Sequence, residues 1–425
     1  MKWVEDAREI DVKAEYDVIV CGGGPAGVSA AVSAARQGAR TLLLEVGGCL
    51  GGIWTQGMAG LVLDVEGKGG LLREIKGKLA ERNAILPKPR THPHNFLIAG
   101  EAMKLLLEEL CLEADVDLLY HTRVVQAMIV DGQLKGAILE NCEGRSAYAA
   151  KILLDCTGNG EFAARAGCEW ESGHPVSGKL QPATMLGIVT GVPEDAAEVM
   201  KGRVFYEFLQ ELGFEPSSKD NAPSINQLPY PELYMFSVNH EFNVRFDSAQ
   251  SITQATLRAR RELCDAIEVL RERVGWKDLR LAATPSLIGL REGRRIRGRY
   301  YLSVEDIIAG RRFVDGVCTV RAGVDVHALD ASATVGAGTE GIKTKPYHIP
   351  YRSLVSAAFD NLGMAGRCIS GDFYAHSSYR MTGNAVPMGE AIGYAAAVAV
   401  RTQRTLAELD GCRVSEEMKA RGYAI

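Results

Sequence analysis

Short apolar runs alternate with longer amphipathic stretches through much of this sequence. The Val- and Ile-rich run 17–21 predicts a buried strand, the small-residue stretch 28–37 predicts a helix, and the apolar run 41–44 predicts a second strand. Amphipathic helices are predicted at 71–82 and 101–114. Strands that alternate with helices in this order are typical of a parallel sheet in an α/β domain.

A different pattern follows the second amphipathic helix. Four consecutive strands are predicted there, at 116–120, 122–130, 134–140 and 146–151. The dipeptide Asp131-Gly132 between the second and third of them is a strong hairpin signal. We therefore predict a small β-meander, after which the apolar run 152–157 predicts a further buried strand and 161–166 a helix.

The pattern changes again near residue 175 and returns to the first one near residue 350. Between these points, strand-like runs at 185–192 and 234–246 are mixed with helical stretches at 201–213 and 252–274. After them we predict a strand at 361–365, a loop over 366–380 and a helix at 385–402. These patterns predict an α/β fold in which residues 1–174 and 351–425 form one domain and residues 175–350 form an inserted antiparallel α+β cap domain.

The first strand and helix enclose a glycine motif. Gly22, Gly24 and Gly27 have the G-x-G-x-x-G spacing, and Pro25 and Ala26 lie between the second and third glycines. This spacing permits a tight turn, close approach of the backbone to a pyrophosphate, and close packing of helix on strand. Glu45 ends the second strand, where it can accept hydrogen bonds from a ribose 2′-hydroxyl. The motif predicts a dinucleotide site for FAD or NAD and disfavours NADP.

A second glycine-rich segment, 47–60, follows Glu45 directly. It is too rich in glycine for a regular element, and such loops allow backbone N–H groups to approach a ligand. We predict that this loop, including Gly51 and Gly52, also contacts the cofactor. The spacing of Gly336, Gly338 and Gly341 matches the same motif, but it follows no apolar strand, so we do not interpret it as a second dinucleotide site.

Composition excludes several other classes of protein. The 425 residues carry a formal net charge of −5, which argues against nucleic-acid partners. The ten cysteines include no C-x-x-C pair, so we predict no metal site, and several of them lie in apolar strands, as expected in a reducing compartment. No secretory signal and no membrane-spanning run is visible. We predict a cytoplasmic protein without membrane contact.

Several segments together resemble a known family. Besides the two glycine loops, they are LLDCTGNGEFAARAG at 153–167, LREGRRIRGRYYLSVED at 290–306 and NLGMAGRCISGDFYAHSSYR at 361–380. In this order they resemble the FAD-dependent oxidoreductases of the glutathione-reductase-like flavoprotein superfamily and, more narrowly, the bacterial FAD-dependent oxidoreductase family. The resemblance covers about 16–400 and implies a Rossmann-like FAD-binding domain, made of a parallel sheet and a β-meander, with an inserted antiparallel cap or substrate domain.

The resemblance also implies which residues bind FAD. Gly22, Gly24 and Gly27 would hold the pyrophosphate and Glu45 the adenosine ribose. The remaining implied contacts are Val124 to adenine, Thr157 and Gly158 along the adenosine half, Gly366 and Asp372 near the ribityl chain and flavin, and Gly389 near the start of the helix that points at the flavin. This chain has Gly-Asp-Phe at 371–373 where family members often have Ala-Thr-His, and Gly-Asn-Ala-Val-Pro at 383–387 where others have Pro-Thr-Cys-Met-Ala.

The candidate catalytic residues lie in two of these segments. His376 is the candidate base for an alcohol or amine substrate. Arg294 and Arg380 are candidates for fixing a carboxylate or another polar oxygen, or for stabilising an anionic flavin. Arg291 and Glu292 are also candidates, but the sequence favours a structural ion pair between them just as much. For His327 and His348 a structural role is favoured.

We expect hydride transfer between the flavin and a small polar organic metabolite. Two alternatives stay open: a flavin-dependent monooxygenase or reductase that uses a nicotinamide donor, and a non-catalytic FAD-binding subunit of an electron-transfer complex. The pattern does not identify the substrate, the electron acceptor, a covalent link to FAD or a homo-oligomer.

Overall fold

The computed structural model describes residues 3, 7, 9–87 and 94–425. Its α-helices are α1 Pro25–Ala35, α2 Gly70–Glu81, α3 Gly100–Glu113, α4 Glu161–Arg165, α5 Gly202–Glu211, α6 Ala249–Arg271, α7 Val304–Ala309, α8 Phe373–Tyr379, α9 Thr382–Thr402 and α10 Gly411–Ala420. Short 3-10 helices occur at Gly52–Trp54, Glu194–Glu198, Tyr351–Leu354 and Leu406–Glu408.

The strands are β1 Val12–Cys21, β2 Thr41–Leu44, β3 Leu61–Val62, β4 Ile85–Pro87, β5 Phe96–Ile98, β6 Asp117–Leu119, β7 Arg123–Val130, β8 Gln133–Asn141, β9 Gly144–Asp155 and β10 Trp170–Glu171. They continue with β11 Gly187–Thr190, β12 Ser224–Gln227, β13 Tyr234–Ser237, β14 Arg280–Ala283, β15 Arg295–Ile296, β16 Gly316–Val320, β17 Val326–His327, β18 Ala337–Gly338, β19 Tyr347–Pro350 and β20 Leu362–Met364.

The main sheet has seven strands in the order β6-β2-β1-β9-β8-β7, and β20 also pairs with β9. Strands β6, β2, β1, β9 and β20 run parallel, and β7, β8 and the first half of β9 form the antiparallel meander. The fold class is therefore confirmed. The strands predicted separately at 146–151 and 152–157 are one long strand, β9, because β1 pairs with it from Ala147 to Asp155, across the predicted boundary. The start of β9 also pairs with β8, and its end also pairs with β20.

Four parallel strands end at the same level of this sheet. Cys21 of β1 is in register with Leu44 of β2 and with Asp155 of β9, and Asp155 is in register with Met364 of β20. The residues that follow these strand ends therefore meet at one edge of the sheet, which is where open α/β sheets bind their ligands. The glycine motif, Glu45, Thr157 and Gly366 each come within a few residues of such an end.

Helix α9 packs along α1 at very close range. A Cβ added at Gly389 would lie 2.1 Å from the carbonyl oxygen of Ala26, and one added at Gly393 would lie 2.1 Å from that of Ala30. Helix packing therefore requires glycine at both positions, because no larger residue would allow the two backbones to approach so closely.

A second apolar core lies apart from the core of the main sheet. It is formed by buried residues between Ala183 and Ile288, which come from an antiparallel sheet of order β12-β13-β11-β14, from α5 and from the long helix α6. The core of the main sheet includes buried residues from Tyr16 to Cys168 and from Ile296 to Tyr423. The boundaries that we predicted from the sequence, at 175 and 350, stay a prediction.

Two local predictions were wrong. Residues 373–379 form helix α8, not a loop, because the Asp372 carboxylate caps the helix by accepting a hydrogen bond from the Ala375 N–H. The strand predicted over 234–246 ends at Ser237, and the chain then bends through bridges and turns. In the part of the chain that the structure describes, no helix is long and apolar enough to cross a membrane.

Candidate active site

The glycine motif forms a tight turn between β1 and α1. Gly22 has a φ of 99°, and its N–H donates to the Leu44 carbonyl at 2.8 Å. A Cβ at Gly22 would lie 2.7 Å from the Cys156 carbonyl oxygen, and one at Gly27 would lie 1.7 Å from the Gly22 carbonyl oxygen. By contrast, no atom of the described residues would lie within 4 Å of a Cβ at Gly24. The outer glycines are thus required by packing, and the middle one faces the open space into which a pyrophosphate would fit.

The first turn of α1 borders the same space. Pro25 occupies the start of the helix and Ala26 is buried, while no side chain caps the helix amino terminus. Uncapped N–H groups and the positive end of the helix dipole favour an anion at this position. The residues present therefore fit the phosphates of a dinucleotide.

Glu45 is 6% exposed, and its carboxylate connects the two glycine loops. One carboxylate oxygen accepts a hydrogen bond from the Gly23 N–H at 2.7 Å, and the other accepts from the Gly47 N–H at 2.7 Å and from Gln56 Nε2 at 3.1 Å. The side chain thus fixes the shape of the phosphate loop. Its predicted contact with the ribose stays a prediction.

The second glycine loop lies against the first. The Gly51 N–H donates to the Gly23 carbonyl at 2.8 Å, and a Cβ at Gly52 would lie 3.1 Å from the Gly24 Cα. Gly51 has a φ of 102°, which residues with side chains rarely adopt. The loop 47–60 thus borders the dinucleotide loop, and its predicted contact with the cofactor stays a prediction.

Asp155, at the end of β9, is a structural residue of this edge that sequence analysis missed. Its carboxylate accepts hydrogen bonds from the Thr157 N–H at 3.0 Å, from Thr157 Oγ1 at 2.7 Å and from the Ala163 N–H at 2.8 Å. Complete burial raises its pKa. Asp155 thus organises the turn from Thr157 into α4. The signal that could have identified it in the sequence is an acidic residue at the end of an apolar strand.

The other predicted cofactor residues lie in several separate elements. Val124 is buried in β7, where it pairs with Leu139 of β8. Gly158, with a φ of 74°, faces the guanidinium group of Arg367, and a Cβ at Gly366 would lie 3.4 Å from the Cβ of Ala26. The Asp372 carboxylate has hydrogen-bond partners within the protein, because it accepts from the N–H groups of Ala375 and Val304.

A group of arginines lies beside this edge. Arg367 Nη2 donates to Asn159 Oδ1 at 2.5 Å, and Arg294 Nη1 donates to the Asn159 carbonyl at 3.2 Å. The Arg294 guanidinium also lies over the rings of Trp170 and Phe246. Among the described residues, neither Arg367 nor Arg294 has a carboxylate within ion-pair distance.

His376 and Arg380, both candidates from the sequence, lie close to this group. His376 is 1% exposed, and neither ring nitrogen has a hydrogen-bond partner among the described residues. Burial lowers the pKa of His376 well below its usual value, and the positive charges of Arg295, Arg380 and Arg367 lower it further. Arg295 itself is paired with the buried Glu292 at 3.2 Å.

Arg380 leads to a chain of polar side chains that the sequence did not identify. Its Nη2 donates to Asp325 Oδ2 at 2.9 Å, His327 Nε2 lies 3.3 Å from the same oxygen, and His327 Nδ1 lies 3.1 Å from His240 Nε2. Burial and the charge of Arg291 lower the pKa of His327 to about 4. Sequence analysis favoured a structural role for His327, and nothing local to it indicated that His240 would lie beside it.

We define the recess as the space bordered by Arg291, Asp325, His327 and Arg380. The side chain of Asp325 is 37% exposed there, while those of His327 and Arg380 are 15% and 12% exposed. The recess therefore has reachable polar groups, whereas His376 is buried.

The Arg291 segment connects the recess to the second glycine loop. Thr184 and Gly289 exchange two backbone hydrogen bonds, at 2.9 and 3.0 Å, and a Cβ at Gly289 would lie 3.2 Å from Ile53 Cδ1. Arg291, two residues further on, donates from Nη1 to Thr184 Oγ1 at 2.8 Å. The recess thus lies between the second core and the predicted cofactor loops.

The family model for FAD dependent oxidoreductases matches residues 17–418. The chain belongs to this family and is an FAD-dependent oxidoreductase.

Several solved structures share its fold. One is a geranylgeranyl bacteriochlorophyll reductase-like protein from Thermoplasma acidophilum, with a TM-score of 0.51 and 13% identity over 96% of this chain and 84% of that one. Another is the OxyS anhydrotetracycline hydroxylase from Streptomyces rimosus, with a TM-score of 0.52 and 12% identity over 96% and 65% of the two chains. BexE, from BE-7585A biosynthesis, has a TM-score of 0.53 and 12% identity over 96% and 67%.

Proposed function

We propose that this flavoenzyme oxidises a small polar organic metabolite that binds in the recess, or reduces it in the reverse direction. We also propose that the enzyme belongs to the wider glutathione-reductase-like superfamily. FAD supplies the two-electron chemistry when it is bound. The observation that carries the proposal is the recess itself, where ionisable side chains from both parts of the molecule remain reachable beside the predicted cofactor loops. A cytoplasmic location stays a prediction.

We propose that Gly22, Gly24 and Gly27 hold the pyrophosphate, with the uncapped start of α1 favouring its charge. Gly51 and Gly52 lie against this loop and would shape the adjoining part of the cofactor site. Arg294 and Arg367, which both donate to Asn159, would offset the phosphate charge. The predicted contacts of Glu45, Val124, Thr157, Gly158, Gly366, Asp372 and Gly389 with FAD stay predictions.

Oxidation of an alcohol or amine also requires a group that accepts the proton from oxygen or nitrogen. We propose the Asp325–His327 pair for this role, because the side chain of Asp325 is more exposed than those of His327 and Arg380. A proton that reaches the pair can be shared between the carboxylate and the imidazole. The alternative base, His376, is almost completely buried and would need a rearrangement before it could touch a substrate.

The experiment is an anaerobic absorbance titration of the purified holoenzyme with polyols, amino acids, hydroxy acids, NADH and NADPH. Bleaching of the flavin by one organic substrate would support the proposal and name the substrate class. Bleaching by a nicotinamide alone would favour a monooxygenase or reductase, and no bleaching by any compound would favour a non-catalytic FAD-binding subunit.

The role of Asp325 has its own test. Asp325→Asn should leave FAD bound and slow flavin reduction by the identified substrate by about 10²- to 10⁴-fold, the usual contribution of a general base. Asp330→Asn is the matched control, because Asp330 lies on the same segment but pairs with Lys179 at 2.6 Å. Equal rates in both variants would exclude Asp325 from proton transfer.

A further inference from the structure

The arginines near the active site differ in whether the protein supplies them with a counter-charge. Arg295 is paired with Glu292 at 3.2 Å, and Arg380 is paired with Asp325 at 2.9 Å. Arg291, Arg294 and Arg367 have no carboxylate within ion-pair distance in the part of the chain that the structure describes. Guanidinium groups surrounded by protein are costly without a partner, so such a cluster indicates anionic ligands.

These three arginines separate into two places. Arg294 and Arg367 both bind Asn159, next to the turn that packs against Gly22, so the pyrophosphate of FAD is the nearest anion for them. Arg291 instead lies on the side of the recess that faces the second core, where its Nη1 binds the Pro182 carbonyl at 2.7 Å and Thr184 Oγ1 at 2.8 Å. A bound pyrophosphate, as a dianion, would balance the two charges at Asn159, and Arg291 would still have no carboxylate within ion-pair distance among the described residues.

We infer that Arg291 binds a carboxylate group of the substrate, so that the enzyme acts on an organic acid, with the Thr184 hydroxyl beside the bound group. This inference rests on the proposed function, since it takes the recess as the substrate site. A monoanion suits the site better than a phosphate dianion, because one uncompensated guanidinium group faces it.

The neighbourhood of Arg291 supports this assignment. Burial and the like charge of Arg380 lower the pKa of Arg291 to about 9, and Asp325 offsets only part of this effect. The two contacts of Nη1 orient the guanidinium group with neutral oxygens, which fix its position without neutralising it. A planar fork held in this way is suited to two parallel hydrogen bonds with a carboxylate.

The test measures binding and needs no turnover. The holoenzyme is titrated with acetate, propionate and benzoate, with the matching neutral amides, and with inorganic phosphate, while the absorbance spectrum of the bound FAD is recorded. We expect the carboxylates to perturb the flavin spectrum saturably, and the amides and phosphate to have little effect. In Arg291→Gln, the carboxylate dissociation constants should rise by about 10- to 100-fold, the effect of losing hydrogen bonds to a charged group.

Two further variants keep the test decisive. Arg291→Lys retains the charge without the fork, so it should bind carboxylates with intermediate affinity even if Arg291→Gln does not fold. Arg297→Gln is the control, since Arg297 is exposed on the same segment, stacks over Tyr301 and should not affect binding.

The inference is overturned if the wild type does not respond to any carboxylate up to the solubility limit, if amides or phosphate perturb the flavin equally well, or if Arg291→Gln binds carboxylates like the wild type. It is also overturned if Arg291→Gln changes only the flavin reduction potential, because Arg291 would then serve the flavin. Carboxylate binding that depends on Arg291, in a protein whose flavin no compound bleaches, would uphold the inference while the proposed oxidation fails.

Discussion

Gly27→Ala should remove tight FAD binding. In the present loop, the added Cβ would lie 1.7 Å from the Gly22 carbonyl oxygen, whereas real Cβ contacts below 3.0 Å essentially do not occur. The two groups must therefore separate by the difference, 1.3 Å, and the obstacle is backbone that no side-chain rotation can move. Overpacking of this kind costs about 1–3 kcal/mol of stability.

The effect on FAD should be larger than the effect on the fold. A shift of this size would move the N–H groups of the loop out of hydrogen-bond range of bound phosphates, and each hydrogen bond to a charged group contributes about 1.5–3 kcal/mol. Losing two of them would raise the dissociation constant of FAD by at least about 100-fold.

The assay compares apoproteins in two measurements. FAD titration followed by quenching of flavin fluorescence gives the dissociation constant, and guanidinium unfolding with and without FAD gives the linked stability. At an FAD concentration of 100 times the wild-type dissociation constant, the wild type should gain about 2.7 kcal/mol, and a variant that binds about 100-fold more weakly should gain only about 0.4 kcal/mol.

The control is Gly77→Ala, another glycine inside a helix. Within the part of the chain that the structure describes, no atom would lie within 4 Å of a Cβ at Gly77 in α2, so this substitution should preserve FAD binding and stabilise the apoprotein by up to about 1 kcal/mol. If Gly27→Ala bound FAD as tightly as Gly77→Ala does, the assignment of the pyrophosphate to this turn would be wrong.

Three more predictions concern single side chains. Glu45→Gln should weaken FAD binding and lower the free energy of unfolding by about 1–3 kcal/mol, because an amide NH₂ would face the N–H of Gly23 or Gly47; chemical unfolding and FAD titration would show both effects. Asp372→Ala should cost about 0.5–2 kcal/mol through loss of the α8 cap, and Asp372→Asn should restore most of it in the same unfolding assay. Burial raises the pKa of Glu262 to about 6. The protonated side chain therefore contributes fully to stability below the unfolded pKa of about 4.3, and this contribution is lost as the pH rises through about 6. Glu262→Gln should flatten this pH dependence and raise the free energy of unfolding at pH 7 by up to about 2 kcal/mol, as measured by urea unfolding at pH 4 and pH 7.

The phosphate loop could be predicted because its determinants are local. The apolar run before Gly22, the spacing of the three glycines and the small-residue helix after them lie within a short stretch of sequence, and each acts through backbone sterics. The parallel order of the sheet also followed from the alternation of strands and helices. What the sequence did not show was that the four strand ends are in register, since pairing partners are distant in the chain.

Helix α8 was missed because the segment around it is rich in residues with modest helix propensity. Its start was nonetheless marked by Asp372, whose carboxylate caps the third residue of the helix. The His240–His327 contact had no comparable signal, because it joins residues 87 positions apart through tertiary packing alone. Charge alone likewise could not distinguish Arg291 from its neighbours, since the distinction depends on which arginines find carboxylates in the folded protein.

The position of the recess explains why its polar groups come from so many segments. Each of the two apolar cores closes around its own side chains, so ionisable residues that neither core can accommodate collect where the cores meet. Their geometry then depends on how the cores are held together, which involves the Thr184–Gly289 bridge and the contact of Gly289 with Ile53. Substitutions at this junction should therefore affect substrate binding more than FAD binding, because Leu44, Glu45 and Cys156, which hold Gly22 and Gly23 in the phosphate loop, are not part of the junction.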